Sequence, residues 1–467
     1  MSSASSSPRT WLPRKFLEEL GLLSVWQSSC DVKLLCAQRF VRLFAYGGST
    51  LVLASYLSAL GISDARIGLF MTLTLVGDVG ISFFLTLFAD AMGRKSVLML
   101  GSALMVGSGV IFALFEDFWI LLAAAVFGVI SPSGNEIGPF RAVEESTLAH
   151  LTPHELLGDI FAWYSLIGTA GTALGMMACG WSINMLQVIR GWEFVVTCRM
   201  IFFAYASIGA IKFLLAVALS KKVEVENKKK PAQSSPTQGG GETQPLLGDR
   251  TATPPPKAPP KKSLFSFLGD RELLSLVVRL FILFGLDSFA SGLASLSWMT
   301  YFFKRKFSLP EGTLGSVFFT TSIIAAASML VASSIAKRIG NVKTMVFTHL
   351  PSAICLALIP VPNILPLALT FLILRACSQN MDVAPRSAFL AKALPADKRT
   401  AIMGSINVVK TCCQSLGPLI TGILANHGLF GVSFTIAGVL KCVYDLGMLL
   451  SFAGRENVQR TAVSSPA

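Results

Sequence analysis

From residue 40 to residue 452 the chain alternates between long apolar runs and short polar clusters. Residues 69–89 (LFMTLTLVGDVGISFFLTLFA) and 96–115 (SVLMLGSALMVGSGVIFALF) are representative. Each holds about 20 residues, the helical length that crosses a hydrocarbon core of roughly 30 Å. The apolarity is near-continuous rather than alternating, so the runs predict helices and not the strands of a barrel. Twelve spans are predicted, at about 40–61, 67–89, 96–115, 118–138, 158–183, 197–219, 274–302, 312–335, 344–361, 365–385, 401–425 and 429–452. Span four is irregular. Its apolar run, 118–130, gives way to SPSGNEIGPF, which sets Glu136 beside glycine and proline.

The pattern is written twice. Residues 221–272 are rich in Pro, Gly, Ser, Thr and Lys and read as a disordered linker, with six spans on either side. VRLF at 41–44 returns at 278–281, with Gly48 matching Gly285. SDARIG (63–68) aligns with PEGTLG (310–315), and NEIGP (135–139) with MDVAP (381–385), pairing Glu136 with Asp382. GMMACG (175–180) aligns with GPLITG (417–422), and GAIK ending at Lys212 with GVLK ending at Lys441. The matches are collinear, which points to duplication. The expected division is a cytosolic segment 1–39, a six-helix bundle 40–220, the linker 221–272, a second bundle 273–453 and a tail 454–467. Two repeated bundles suit alternating access, in which the halves rock about a site between them.

Composition agrees with a membrane protein: 53% of residues are hydrophobic and 14% charged, against about 25% charged in soluble domains. Most of the 39 Lys and Arg fall in segments that cytosolic termini would leave in the cytosol, which sets the expected orientation. The net charge of +13 then reflects topology and attraction to lipid headgroups. A nucleic-acid role would need a basic soluble module, and the pattern offers none. Residues 1–39 begin Ser-rich, continue as an amphipathic stretch (FLEELGLLSVW) and lack the pattern of a cleavable signal. The nine cysteines lie mostly within spans without CxxC spacing and read as packing residues. The four histidines are dispersed. No nucleotide loop, nucleophile elbow or metal motif is present, so neither an enzyme nor a cofactor is expected.

The loop after span two reads FADAMGRKSV. It resembles the cytosolic signature G-x-x-x-D-x-x-G-R-[RK] of the major facilitator superfamily, with Asp90, Gly93, Arg94 and Lys95 in matching places and Thr86 where the leading glycine would stand. With the twelve spans and the duplication, the resemblance covers about residues 40–453. It implies an all-α membrane protein of two pseudo-symmetric six-helix bundles, a secondary transporter of a small solute and a monomer in the lipid bilayer. Subfamily features are partly similar to proton-driven drug antiporters. Span five carries Gly168, Gly171, Gly175 and Gly180 but Met176 where a proline would be, the GP pair falls in span eleven (Gly417, Pro418), and span four has no mid-span Arg.

An ionisable side chain within a span needs a partner or a cavity. Asp78, Asp287, Arg375 and Lys410 are expected at mid-depth. By the resemblance they face the transport cavity or its walls, and the neighbouring of spans seven and eleven makes Lys410 the expected partner of Asp287. Two readings of Asp287 stand: a carboxylate that loads and releases a proton as its surroundings alternate, or a static ion pair. Arg375 hints at an anionic group on the substrate. Glu136 and Asp382 are expected near the cytosolic ends of spans four and ten, Glu136 pairing with Arg94 to close the inner gate and Asp382 with Lys337 or Arg338. Asp90, Gly93, Arg94 and Lys95 would form the rest of that gate. Arg42 and Arg279 are expected to snorkel, and Lys441 to pair with Asp445 one turn on.

The expected function is alternating-access transport of a small organic solute, coupled to protons and directed outward. A uniporter or uptake symporter of the same fold is the first alternative. A transport-inactive sensor is the second, although residues 454–467 offer no long signalling tail. In the linker, Glu242, Leu246 and Leu247 (ETQPLL) fit an acidic dileucine signal read by sorting adaptors, which leaves the plasma membrane and a vacuolar or endosomal membrane both open.

Overall fold

The structure, a computed structural model, describes residues 22–128, 130, 139–153, 155–224, 271–395 and 398–464. The apolar runs form helices. The first half contains α1 (Leu22–Gln27), α2 (Cys30–Ala59), α3 (Asp64–Met92), α4 (Arg94–Leu114), α5 (Phe118–Gly128), α6 (Pro139–Leu151), α7 (Leu157–Arg190) and α8 (Phe194–Val217). The second contains α9 (Arg271–Leu293), α10 (Leu296–Phe307), α11 (Glu311–Ile339), α12 (Asn341–Leu358), α13 (Leu365–Ser378), α14 (Val383–Ala393), α15 (Arg399–Asn426) and α16 (Phe430–Ser464). Eight segments among the described residues are long and apolar enough to cross a membrane. With the broken passes α5/α6, α9/α10 and α13/α14 each taken as one, and α1 set aside, there are two six-pass bundles.

The breaks have local causes. The second half of pass four opens on Pro139, in the first turn, where a missing N–H breaks no helical hydrogen bond. Pass ten turns through residues 379–382, and Pro385 lies in the first turn of α14. The repeated MDVAP motif is thus a joint between two half-helices. Its counterpart NEIGP falls at 135–139, mostly outside the described residues. Pass seven breaks at 294–295, where Thr421 Oγ1 donates to the Leu293 carbonyl at 2.7 Å. An interrupted backbone within lipid needs such a partner.

The halves meet at one end of the molecule. We call this end distal, and proximal the end at which α2 begins and α8 finishes. Distally, one apolar cluster includes residues of both bundles, among them Tyr56, Phe70, Phe112 and Phe202 of the first and Trp298, Phe303, Phe318 and Phe434 of the second. Proximally, each bundle has its own core: Leu35, Val97, Ile160 and Tyr164 in one, Val277, Phe284, Ile402 and Tyr444 in the other.

The distal seam is close enough to exclude side chains. A Cβ on Gly68 would lie 2.6 Å from the Pro418 carbonyl oxygen and 3.0 Å from the Gly422 Cα, and one on Gly180 would lie 2.2 Å from the Glu311 carbonyl oxygen and 3.1 Å from the Gly315 Cα. Polar bonds cross at the same end. Ser297 Oγ donates to the Thr50 carbonyl at 3.1 Å, Trp181 Nε1 to Ser316 Oγ at 2.9 Å, and the Leu419 N–H to Thr72 Oγ1 at 3.1 Å. Tyr301 OH lies 3.0 Å from Ser58 Oγ and 3.1 Å from Asp64 Oδ1, while Arg305 Nη1 sits 2.5 Å from Asp64 Oδ2.

Candidate functional site

Each bundle buries a charged cluster. In the first, Glu144 on the half-helix α6 is fully buried. Arg42 Nη2 of α2 donates to its Oε2 at 2.6 Å, Tyr164 OH of α7 donates to the same oxygen at 2.5 Å, and Lys212 Nζ of α8 stands 3.7 Å from Oε1. The Arg39 guanidinium lies over the Tyr164 ring at 4.6 Å. A carboxylate so deep persists as an ion because cations and a hydroxyl replace its water.

In the second bundle the carboxylate comes from the other partner. Asp287 sits on α9. Lys441 Nζ of α16 donates to its Oδ1 at 2.6 Å and to Ser291 Oγ at 2.8 Å. Arg386 on the half-helix α14 reaches Asp287 Oδ2 through Nη1 at 3.4 Å and Asp382 Oδ2 through Nη2 at 3.0 Å. One turn along α16, Asp445 holds His349 of α12, whose Nδ1 is 3.0 Å from both carboxylate oxygens. The Tyr444 ring meets the His349 ring edge-on at 6.0 Å and the tilted Phe284 ring at 5.9 Å.

The expected residues are distributed as follows. Asp287 is buried, but its partners are Lys441 and Arg386. Lys410 lies within electrostatic reach of the cluster, with Nζ 5.9 Å from the Phe284 ring centroid. Depth along a helix is readable from sequence; the direction in which a face turns is not. Lys441 and Asp445, expected to pair with each other, instead serve Asp287 and His349. Asp382 is buried inside pass ten because α14 continues beyond it, and it pairs with Arg386 one turn on. Arg375 sits against Cys355 of α12, its buried Nε without a hydrogen-bond partner among the described residues, and makes no contact with Asp287 or Lys410. Asp78 is buried in the first bundle, near Tyr205 of α8. Arg42 does not snorkel but holds Glu144, whereas its repeat partner Arg279 is exposed.

At the gate, the Glu136 position and the Asp90 side chain lie outside the described residues, as do Lys337's side chain and Glu242, Leu246 and Leu247. Gly93 takes φ +85°, which side-chain-bearing residues rarely adopt. The N–H groups of Arg94 and Lys95 donate to Glu224 Oε2 at 2.8 Å and Oε1 at 3.1 Å, and Lys95 Nζ bonds the carbonyls of Val217 and Leu219. Glu224 thus supplies negative charge at the start of α4, where the helix dipole favours it. It is held there by a pinned approach: Ser220 donates its N–H to Asp31 Oδ1 at 2.9 Å and its hydroxyl to Oδ2 at 2.6 Å.

Glu144, Arg386, His349 and Glu224 were not singled out from sequence. Glu144 and Arg386 lie just past the predicted ends of spans four and ten. The available signal was a short helical stretch resuming after proline in each repeat.

Two six-pass bundles that share an apolar core at one end, each burying its own charged cluster, have the architecture of a membrane transporter. The chain matches the Major Facilitator Superfamily over residues 35–302 and 280–465 and belongs to it. It is 37% identical over 434 residues to the membrane protein YJR124C of Saccharomyces cerevisiae, covering 91% of this chain and 95% of that one. A shorter stretch of 168 residues, 36% of this chain and 39% of the relative, is 26% identical to the quinolone resistance protein NorA of Staphylococcus aureus. Among solved structures, the nucleoside transporter NupG superposes with a TM-score of 0.67 at 14% identity, covering 91% of this chain and 99% of that one. The D-xylose–proton symporter gives 0.63 at 14%, covering 89% and 96%. These likenesses bear on the fold.

Proposed function

We propose that the protein is a proton-coupled secondary transporter of a small organic solute, in a state whose proximal end opens to the cytosol. The observation that carries this reading is the contrast of cores: one shared apolar cluster distally, two separate ones proximally. Rocking of the halves would exchange that arrangement for its opposite. The bias of Lys and Arg supports a cytosolic proximal end. The limited likeness to a quinolone resistance protein supports an organic, drug-like cargo and outward transport.

In this reading Asp287, Lys441, Arg386 and Asp382 form the acid–base centre beside the solute path, with Lys410 lining it and Asp78 and Arg375 at its margins. Closing the proximal side would bring the loop of Asp90, Gly93, Arg94 and Lys95 against the other half, with Glu136 as the partner of Arg94. The linker signal at Glu242, Leu246 and Leu247 would be read by sorting adaptors, placing the protein in the plasma membrane or in a vacuolar or endosomal membrane.

The test begins with a thermal-shift screen of purified protein against metabolites and drugs, since a bound solute raises the melting temperature. The solute so found is then followed in proteoliposomes with and without a pH gradient. Gradient-driven accumulation is expected. A rate and an end-point indifferent to the gradient would make the protein a uniporter instead.

A further inference from the structure

We propose that the proton carried by this transporter binds at the His349–Asp445 pair, and that Asp287 is the fixed counter-ion beside it. This rests on the proton-coupled reading above and names its site.

Asp287 is poorly placed to take a proton. Both its oxygens face permanent cations, Lys441 at 2.6 Å and Arg386 at 3.4 Å, and Lys441 is steadied in turn by Ser291. Asp445 differs. Lys441, one turn before it, is committed to Asp287, so the partner of Asp445 is an imidazole whose charge can change in the physiological range. The pair is buried, His349 at 5% exposure and Asp445 at 1%. Nδ1 faces the carboxylate. With Asp445 ionised, and so an acceptor only, Nδ1 is the donor and Nε2 of the neutral ring is the base.

The surrounding charges make the pair a switch. Lys441 on α16 and Asp287 on α9 act on the pair directly, and the Tyr444 ring lies against His349. Arg386 and Asp382, from the α14 side, act on Tyr444 and on Lys410 of α15. Arg375 stands on α13 beside Cys355, farther along α12, and Arg338 is exposed at the end of α11. The three carboxylates Asp287, Asp382 and Asp445 balance Lys441, Arg386 and Lys410 when His349 is neutral. A proton on Nε2 leaves one positive charge in excess within low dielectric. That charge acts on Asp287 and competes with Arg386, the longer of its two contacts. Arg386 rides on α14, the half-helix beyond the joint of pass ten, so proton binding loosens an element that is already separate from α13.

Two measurements test this. Histidine-selective ¹⁵N NMR of the full chain in nanodiscs, with His349→Gln identifying the signal among the four histidines, should show the His349 ring gaining a proton on acidification, and Asp445→Asn should change that response. In proteoliposomes, His349→Gln should lower gradient-driven accumulation of the screened solute tenfold or more while its thermal shift with that solute persists. A His349 that stays in one protonation state throughout, or a His349→Gln protein that still accumulates solute like the wild type, overturns the assignment even if wild-type transport follows the gradient. Wild-type transport indifferent to the gradient would instead remove the function on which the assignment rests.

Discussion

The two buried clusters share a lysine at the same place in the repeat, Lys212 and Lys441, yet face opposite wiring. In the first bundle the half-helix α6 brings the carboxylate and the long helix α2 brings arginine. In the second the long helix α9 brings the carboxylate and the half-helix α14 brings arginine. Duplication therefore kept the lysine, while the charges that face it come from non-equivalent positions on the paired helices. The first cluster contains no histidine among the described residues, and its carboxylate is closed in by Arg42, Tyr164 and Lys212. The second sits against a histidine–carboxylate pair. We read the first as a lock and the second as the convertible site proposed above.

The largest effect is expected from removing the lock. Glu144→Ala removes the buried carboxylate that Arg42 and Lys212 face and should cost about 3–5 kcal/mol, seen as a steep fall in melting temperature in detergent. A variant that melts like the wild type would show that the cluster is hydrated and not a lock. Lys441→Met should cost less, about 1.5–3 kcal/mol, because Asp287 keeps Arg386. Pairing it with Asp287→Asn should recover half or more of that loss, since a neutral pair leaves no stranded charge. Recovery absent from the double variant would mean that the two residues are not coupled. Ser291→Ala removes one hydrogen bond to Lys441 and should cost about 0.5–1.5 kcal/mol; a larger loss would place Ser291 and not Asp287 as the main anchor. The smallest effect belongs to the distal seam. Arg305 is half exposed, so Asp64→Asn should cost at most about 1 kcal/mol. Its readout is faster labelling of a cysteine placed at Thr50, which Ser297 covers.

The twelve passes, the two halves and the superfamily were legible in the sequence because apolar length and repeated motifs are one-dimensional signals. The burial of Asp287 within its helix was legible. Its partners were not. Lys441 and Asp445 satisfy the one-turn spacing of a helical ion pair, but each meets a stronger partner from another helix, which spacing along one chain segment cannot reveal. Glu144 and Arg386 were lost for a different reason. Apolarity stops at the joints of passes four and ten, whereas the helix resumes beyond them and returns polar residues to the core. Glu224 belongs to the edge of a stretch read as disordered linker, and only its seat over Gly93 shows its use.

The distal glycines carry a consequence for ancestry. Gly68 and Gly315 are the same position in the two repeats, as are Gly180 and Gly422, yet the contacts run from Gly68 to Gly422 and from Gly180 to Gly315. Each position of one copy thus touches the other position of its twin, which is the isologous rule of a two-fold dimer. A single half-length chain, paired with itself in the bilayer, would already have owned both contacts before fusion joined the copies.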